Sequence, residues 1–164
     1  MAAIGHELVT LLPRLRRYAL TLTRSPALAD DMVQSACEKA LLNAESWTPG
    51  TRLDAWVFRI LHNSWIDYLR HHKADGMLDD VRNHEDRLMD QKSGENQIIS
   101  KLTLADVQRL IAELPTEQRE VLLLVCVEDL AYREAAEILG VPVGTIMSRL
   151  ARARKRIVEA THAA

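Results

Sequence analysis

LAYREAAEILGVPVGTIMSRLARARKR, residues 130–156, reads as two helices around a sharp turn. Tyr132 to Leu139 places Ala135, Ala136, Ile138 and Leu139 on the inner side of a short helix. Gly140 supplies the left-handed backbone that a tight helix exit needs, and Pro142 cannot continue the first helix. A second helix restarts near Val143 and runs through Thr145, Ile146, Leu150 and Ile157. Arg149, Arg152, Arg154, Lys155 and Arg156 give it five positive charges before Glu159. A charged helix tail by itself is commonly a solvated face. Combined with this turn chemistry, it is the pattern of a helix-turn-helix whose second helix enters a DNA major groove.

The 164 residues are enough for one ordinary domain or two small ones, and a hydrophobic content of 48% supports packed cores. The formal net charge of −2 excludes a protein that coats nucleic acid indiscriminately, so DNA binding must rest on locally clustered charge. Cys37 and Cys126 are isolated within helical patterns and read as buried thiols. His6, His62, His71, His72, His84 and His162 show no ligand spacing with acids or cysteines, and no phosphate loop or nucleophile motif is present. An enzyme is therefore disfavoured, and neither metal nor cofactor is expected. The start, MAAIGHELVTLLPRL, carries no basic leader followed by an apolar run, and no stretch reaches transmembrane length. The expectation is a cytoplasmic protein without membrane insertion.

The helical period dominates, so the fold class is all-α, with two small helical domains joined by a flexible acidic linker. The expected divisions are 1–72, 73–97 and 98–164. Leu8, Leu11, Leu12, Leu15 and Leu22 mark an N-terminal helical region that Pro13 either starts or bends. Ser25-Pro26 begins a second helix that runs to about Asn43. Pro49-Gly50 marks a loop, and a third helix spans about Leu53 to His71. From 73 to 97, four basic residues face seven acidic ones, with Gly76 and Ser93-Gly94 among them, which suits a linker. Leu102, Val107, Leu110 and Leu114 then form a helix that ends before Pro115. Thr116 is expected to cap the next helix, whose inner face is Val121, Leu122, Leu124 and Val125. Its capping box is incomplete, because Arg119 sits where a Glu or Gln is needed. So polar a linker predicts two domains that move independently.

Of the seven aromatic residues, five lie between Trp47 and Tyr68. On the third helix Trp56, Arg59, Asn63, Asp67 and Arg70 recur at three- or four-residue spacing and share one face. Rings that stack on unpaired bases, cations for phosphates and an amide for a base edge are the equipment of a single-strand binder. Phe58 and Trp65 fit the core better. The second helix presents Asp30, Asp31, Gln34 and Glu38 mostly on one side, either a solvated face or a docking surface for a basic partner.

The stretches ALADDMVQSACEKAL (27–41), LDAWVFRILHNSWIDYLRHH (53–72) and LPTEQREVLLLVCVEDLAYREAAEILGVPVGTIMSRLARARKRI (114–157) together resemble a bacterial extracytoplasmic-function (group IV) RNA polymerase sigma factor. The resemblance covers nearly the whole chain. It implies that Asp30, Asp31, Gln34 and Glu38 dock on the clamp helices of core RNA polymerase. It also implies that Trp47, Arg52, Trp56, Arg59, Asn63, Asp67 and Arg70 open and capture the minus-ten element. Thr145, Ser148, Arg149, Arg152 and Arg156 fall where the family reads the minus-thirty-five element. At Met147 the chain departs from the pattern, since a Lys is common there. The implied partners are core polymerase, promoter DNA and an anti-sigma factor acting in a stress response, with the free chain a monomer. Unstacking bases costs a few kcal/mol per step and stacking on aromatics returns about 1–3 kcal/mol per base, so binding can drive strand opening without ATP.

Two other readings stay open at this point. A sigma mimic that sequesters an anti-sigma factor would keep the packing without needing Arg149, Arg152 and Arg156. A stand-alone helix-turn-helix regulator would need neither the aromatic first domain nor the acidic face.

Overall fold

The computed structural model describes residues 2–73 and 103–162. Apart from Lys73, the expected linker lies outside the described residues, as does Leu102 of the helix expected to follow it. All regular elements among the described residues are helical.

Three long helices form the N-terminal bundle: α1 (Ala2–Thr23), α2 (Pro26–Leu42) and α3 (Leu53–His71). Pro13 lies inside α1 instead of starting it. It can do so because Val9, whose carbonyl loses its helical partner there, faces solvent. Ser25 caps α2 by accepting a hydrogen bond from the Leu28 amide at 3.2 Å, with Pro26 in the first turn. The buried stripe of α2 is Ala29, Val33, Ala36 and Ala40, small residues that let α1 and α3 approach closely. Into that space project Leu8, Leu11, Leu15, Tyr18 and Leu22 from α1, and Leu53, Val57, Phe58, Leu61 and Trp65 from α3. Each fully buried large side chain stabilises the bundle by about 1.5–3 kcal/mol. Tyr18 and Phe58 meet edge to face, with centroids 5.4 Å apart. Of the expected N-terminal apolar face, Leu12 is the exception and faces outward.

The C-terminal bundle sets three short helices, α4 (Leu104–Ala112), α5 (Thr116–Leu122) with a π-helical extension (Leu123–Val127) and α6 (Tyr132–Leu139), against one long one, α7 (Val143–His162). A reciprocal cap opens α4. Thr103 Oγ1 accepts from the Asp106 amide at 3.2 Å, and Asp106 Oδ2 accepts from the Thr103 amide at 3.0 Å. Thr116 does not cap α5; Pro115 holds that position, and the Thr116 hydroxyl accepts from Arg119 Nη2 at 3.2 Å. Arg119 is almost wholly buried and donates to the carbonyls of Ala112 at 2.8 Å and Leu114 at 3.1 Å. The residue that spoils the capping box of one helix thus satisfies the carbonyl end of the helix before it.

Cys126 is exposed rather than buried, because it lies in the π-helical extension on the side away from Leu123 and Leu124, which fill the core. Cys37 is half-buried, and burial pushes its thiol up. The two bundles pack on each other, α1 against α5 and α3 against α6. At this contact acidic groups of the C-terminal bundle are matched by arginines of the N-terminal one.

Candidate nucleic-acid interface

The turn quoted at the outset folds as its chemistry requires. Gly140 adopts φ 67° and ψ 35°, and its amide donates to the Ala136 carbonyl. Pro142 precedes α7, its carbonyl accepting from Thr145 N at 3.0 Å and Ile146 N at 3.2 Å. Ala135, Ala136 and Ile138 of α6 are buried with Ile146, Leu150 and Ala153 of α7, which fixes the crossing of the two helices. The outer side of α7 carries Met147, Ser148, Ala151, Arg152, Arg154 and Lys155, all exposed.

The five sequence-derived residues on α7 divide. Ser148 and Arg152 are exposed, while Thr145, Arg149 and Arg156 are half-buried along the flank. Arg149 reaches Glu117 at the start of α5, 3.7 Å away, a contact that DNA phosphate can replace because the Glu117 side chain is largely exposed. The Ser148 hydroxyl donates back to the Thr145 carbonyl at 3.1 Å. Met147 is 53% exposed, at the centre of this surface.

On α3 the spacing argument places Arg59, Asn63, Asp67 and Arg70 together on one exposed face, with Trp56 half-buried beside them. Asp67 and Arg70 form an exposed pair at 3.8 Å. Trp47 packs half-buried in the loop before α3, its indole N–H enclosed. Phe58 and Trp65 belong to the core. Past Trp65 the aromatic surface continues: Tyr68 stacks on Trp65 with centroids 5.7 Å apart, and His72 on Tyr68 at 4.0 Å. His71 lies exposed at the helix end, whereas His72 is held in that stack.

Asp30, Asp31, Gln34 and Glu38 are all exposed on α2. Asp30 pairs with Arg16 at 2.8 Å, and Gln34 donates to Glu38 at 3.4 Å. Asp31 and Glu38 make no ion pair among the described residues.

Arg52 stands apart from the other α3-side candidates. Its guanidinium donates to Asp54 at 2.8 and 3.1 Å, and across the domain boundary to the Asp129 carbonyl at 2.9 Å and the Glu134 carboxylate at 3.3 Å. Asp54 also accepts from Arg14 at 3.0 Å. Burial works against ionisation of Asp54, yet the hydrogen bonds from Arg52 and Arg14 outweigh it and hold its carboxyl below the usual range. Glu128 is the centre of the contact. It is 3% exposed and accepts from Arg14 Nε at 2.7 Å and from Arg17 at 2.7 and 3.1 Å. Sequence reasoning missed Arg14, Arg17, Glu128 and Glu134. Their pairings span 40 to 114 positions, and no local spacing reports a contact of that length.

Comparison with known proteins identifies the family. Residues 8–74 match the family described as Sigma-70 region 2, and residues 104–157 match Sigma-70, region 4. The chain is 32% identical over 155 residues to the ECF RNA polymerase sigma factor EcfG of Rhodopseudomonas palustris (strain TIE-1), covering 94% of this chain and 83% of that one. It is 32% identical over 136 residues to the ECF RNA polymerase sigma factor SigW of Bacillus subtilis (strain 168), covering 79% and 73%. In three dimensions it is similar to the sigma factor RpoE of Bartonella quintana, solved in complex with the anti-sigma factor NepR. The TM-score is 0.71 at 29% identity, over 98% of this chain and 97% of that one.

Proposed function

Because this chain belongs to the extracytoplasmic-function family of RNA polymerase sigma factors, we propose that it binds core RNA polymerase, directs it to particular promoters, helps melt them, and is held in check by an anti-sigma factor. The observation that carries this reading is the presence of both sigma regions on one chain, each with an exposed face suited to its task.

The acidic face of α2, through Asp31, Gln34 and Glu38, docks on a basic surface of the polymerase. The exposed α3 face, with Arg59 and Asn63 beside Trp56, takes up the opened minus-ten strand. The N-terminal half of α7, led by Ser148 and Arg152 with Arg149 on its flank, reads the minus-thirty-five element. Polymerase supplies most of the affinity and α7 the local sequence reading, which is how a chain of net charge −2 acts on DNA. The family is one of initiation factors, and this chain has no catalytic chemistry of its own in this reading. No helix among the described residues is long and apolar enough to cross a membrane, in keeping with work beside the polymerase in the cytoplasm. Residues 1–72 act as the polymerase and minus-ten module, 73–97 as the connector and 98–164 as the upstream module.

The exposed cations Arg152, Arg154 and Lys155 favour a working factor over a mimic, which has no use for them. Run-off transcription with purified core polymerase on genomic promoter fragments tests the function directly. Specific transcripts without ATP-hydrolysing activators are expected, and their absence from every fragment would overturn it.

A further inference from the structure

The boundary between the bundles is unusually polar, with the buried Glu128 carboxylate ringed by partly exposed arginines. The N-terminal bundle brings three guanidinium groups to it: Arg14 and Arg17 one turn apart on α1, and Arg52 immediately before α3. Among the described residues, the one carboxylate of that bundle in hydrogen-bond contact with them is Asp54. Three cations against one anion leave a cleft that requires anionic company. In the closed chain the company comes from the C-terminal bundle: the Glu128 carboxylate, held by two arginines, the Asp129 carbonyl and the Glu134 carboxylate. Asp129 turns its carbonyl to Arg52 from a left-handed backbone, φ 58°, a conformation that Asp tolerates better than most residues. The arginine side chains stay 30–50% exposed along the outer edge, so a competing anion can reach them from solvent.

This contact cannot persist at a promoter. In the sigma-factor reading, on which this argument rests, the two bundles engage elements about 25 base pairs apart, or about 85 Å of duplex. Bundles of this size have radii of gyration of about 10 Å, so packed side by side they cannot span that distance. Opening must expose the arginines, and they lie next to the loop and helix assigned to the minus-ten strand.

We propose that Arg14, Arg17 and Arg52 form a phosphodiester-binding cleft for the promoter strand, and that in the free chain Glu128 occupies it as an internal plug. The planar fork of a guanidinium suits carboxylate and phosphate alike. Glu128 thus closes the free protein by standing where a DNA phosphate binds in the open one.

The test uses the full chain. Its overall dimensions are measured by small-angle scattering, and its affinity for a fluorescein-labelled 12-nucleotide single strand is measured across a salt series. Glu128→Gln is expected to increase the radius of gyration and to tighten strand binding fivefold or more at low salt. Arg14→Gln with Arg17→Gln also opens the chain, but it binds no more tightly than the wild type and with a shallower salt dependence. The triple charge swap Glu128→Lys, Arg14→Glu, Arg17→Glu should close the chain again, which keeps the test decisive if a single variant folds poorly. Unchanged dimensions for Glu128→Gln, or a failure of the swap to re-close, would overturn the plug. Expansion without tighter binding, or equally tight binding by the arginine variant, would overturn the cleft. Run-off transcription by the wild type is scored separately, so failure of the sigma-factor reading is distinguishable from failure of this one.

Discussion

The two bundles bury different things. The N-terminal one packs three helices of 17 to 22 residues around an apolar seam, and the polar groups caught inside it are few, chiefly His62, Ser64 and Thr23. The C-terminal one relies partly on helices as short as seven residues and encloses Arg119, whereas its buried Glu128 is met by Arg14 and Arg17 of the other bundle. Short helices leave a larger share of their carbonyls and amides without intrahelical partners, so charged side chains take over part of the task that length performs in the other half. Both bundles have apolar cores, and the C-terminal one adds a buried guanidinium to its own.

The largest expected effect tests that contrast at Arg119. Arg119→Met roughly keeps the volume but strips the buried Leu114 carbonyl of its Arg119 donor and leaves the Ala112 carbonyl with Arg24 alone. It should cost about 2–4 kcal/mol, from one buried acceptor left bare at about 1–3 kcal/mol and one lost charged hydrogen bond at about 1 kcal/mol, and unfold the C-terminal bundle preferentially. Urea titration followed by hydrogen exchange in α4 and α5 measures this; a cost below about 1 kcal/mol would mean that apolar packing holds this half too.

Next comes the buried polar group of the other half. Burial lowers the His62 pKa from 6.5 to about 4. Above pH 6.5 the ring is neutral in both folded and unfolded chains, and stability is full. As the pH falls from 6.5 towards 4 the unfolded chain takes up a proton that the folded one refuses, so stability declines by up to about 3 kcal/mol. His62→Gln should remove most of that slope. Urea midpoints at pH 7, 5.5 and 4.5 for both proteins decide the matter, and identical slopes would discharge His62 from the role.

The DNA-facing surfaces should separate by promoter element. Arg152→Ala should lower transcription by about 1–3 kcal/mol of binding, roughly fivefold or more, only where the upstream element is required. Arg59→Ala should weaken strand opening whatever lies upstream. Equal losses on all promoters would merge the two surfaces into one general phosphate contact.

The smallest effect on the fold belongs to α2. Asp31→Lys with Glu38→Lys should reduce affinity for core polymerase tenfold or more while changing stability by no more than about 0.5 kcal/mol, since both side chains are exposed. Native affinity in a pull-down with core enzyme would sink the docking assignment.

Much of this was legible in the sequence where a single residue carries a local rule. Gly140 and Pro142 fixed the turn, Ser25-Pro26 the start of α2, and the spacing of Arg59, Asn63 and Arg70 a shared outer face. The Thr103–Asp106 reciprocal cap was equally local, four residues of TLAD, but Asp106 stands where the usual box has Glu or Gln, which weakens its signal. Arg119 misled for a different reason. As a local signal it spoils a cap, and its role emerges only when the preceding helix end is in place. The Arg14–Glu128 contact had no local signal at all, and neither did the outward turn of Cys126, which depends on the π-helical widening after Leu122.

All three tryptophans of the chain, Trp47, Trp56 and Trp65, lie in the N-terminal bundle. Intrinsic fluorescence therefore watches one half of the molecule, whereas far-ultraviolet circular dichroism watches both. If the contact between the bundles couples their unfolding, the two signals must trace one curve; once it is broken they must part. The chain carries its own optical gauge of whether its halves melt as one cooperative unit.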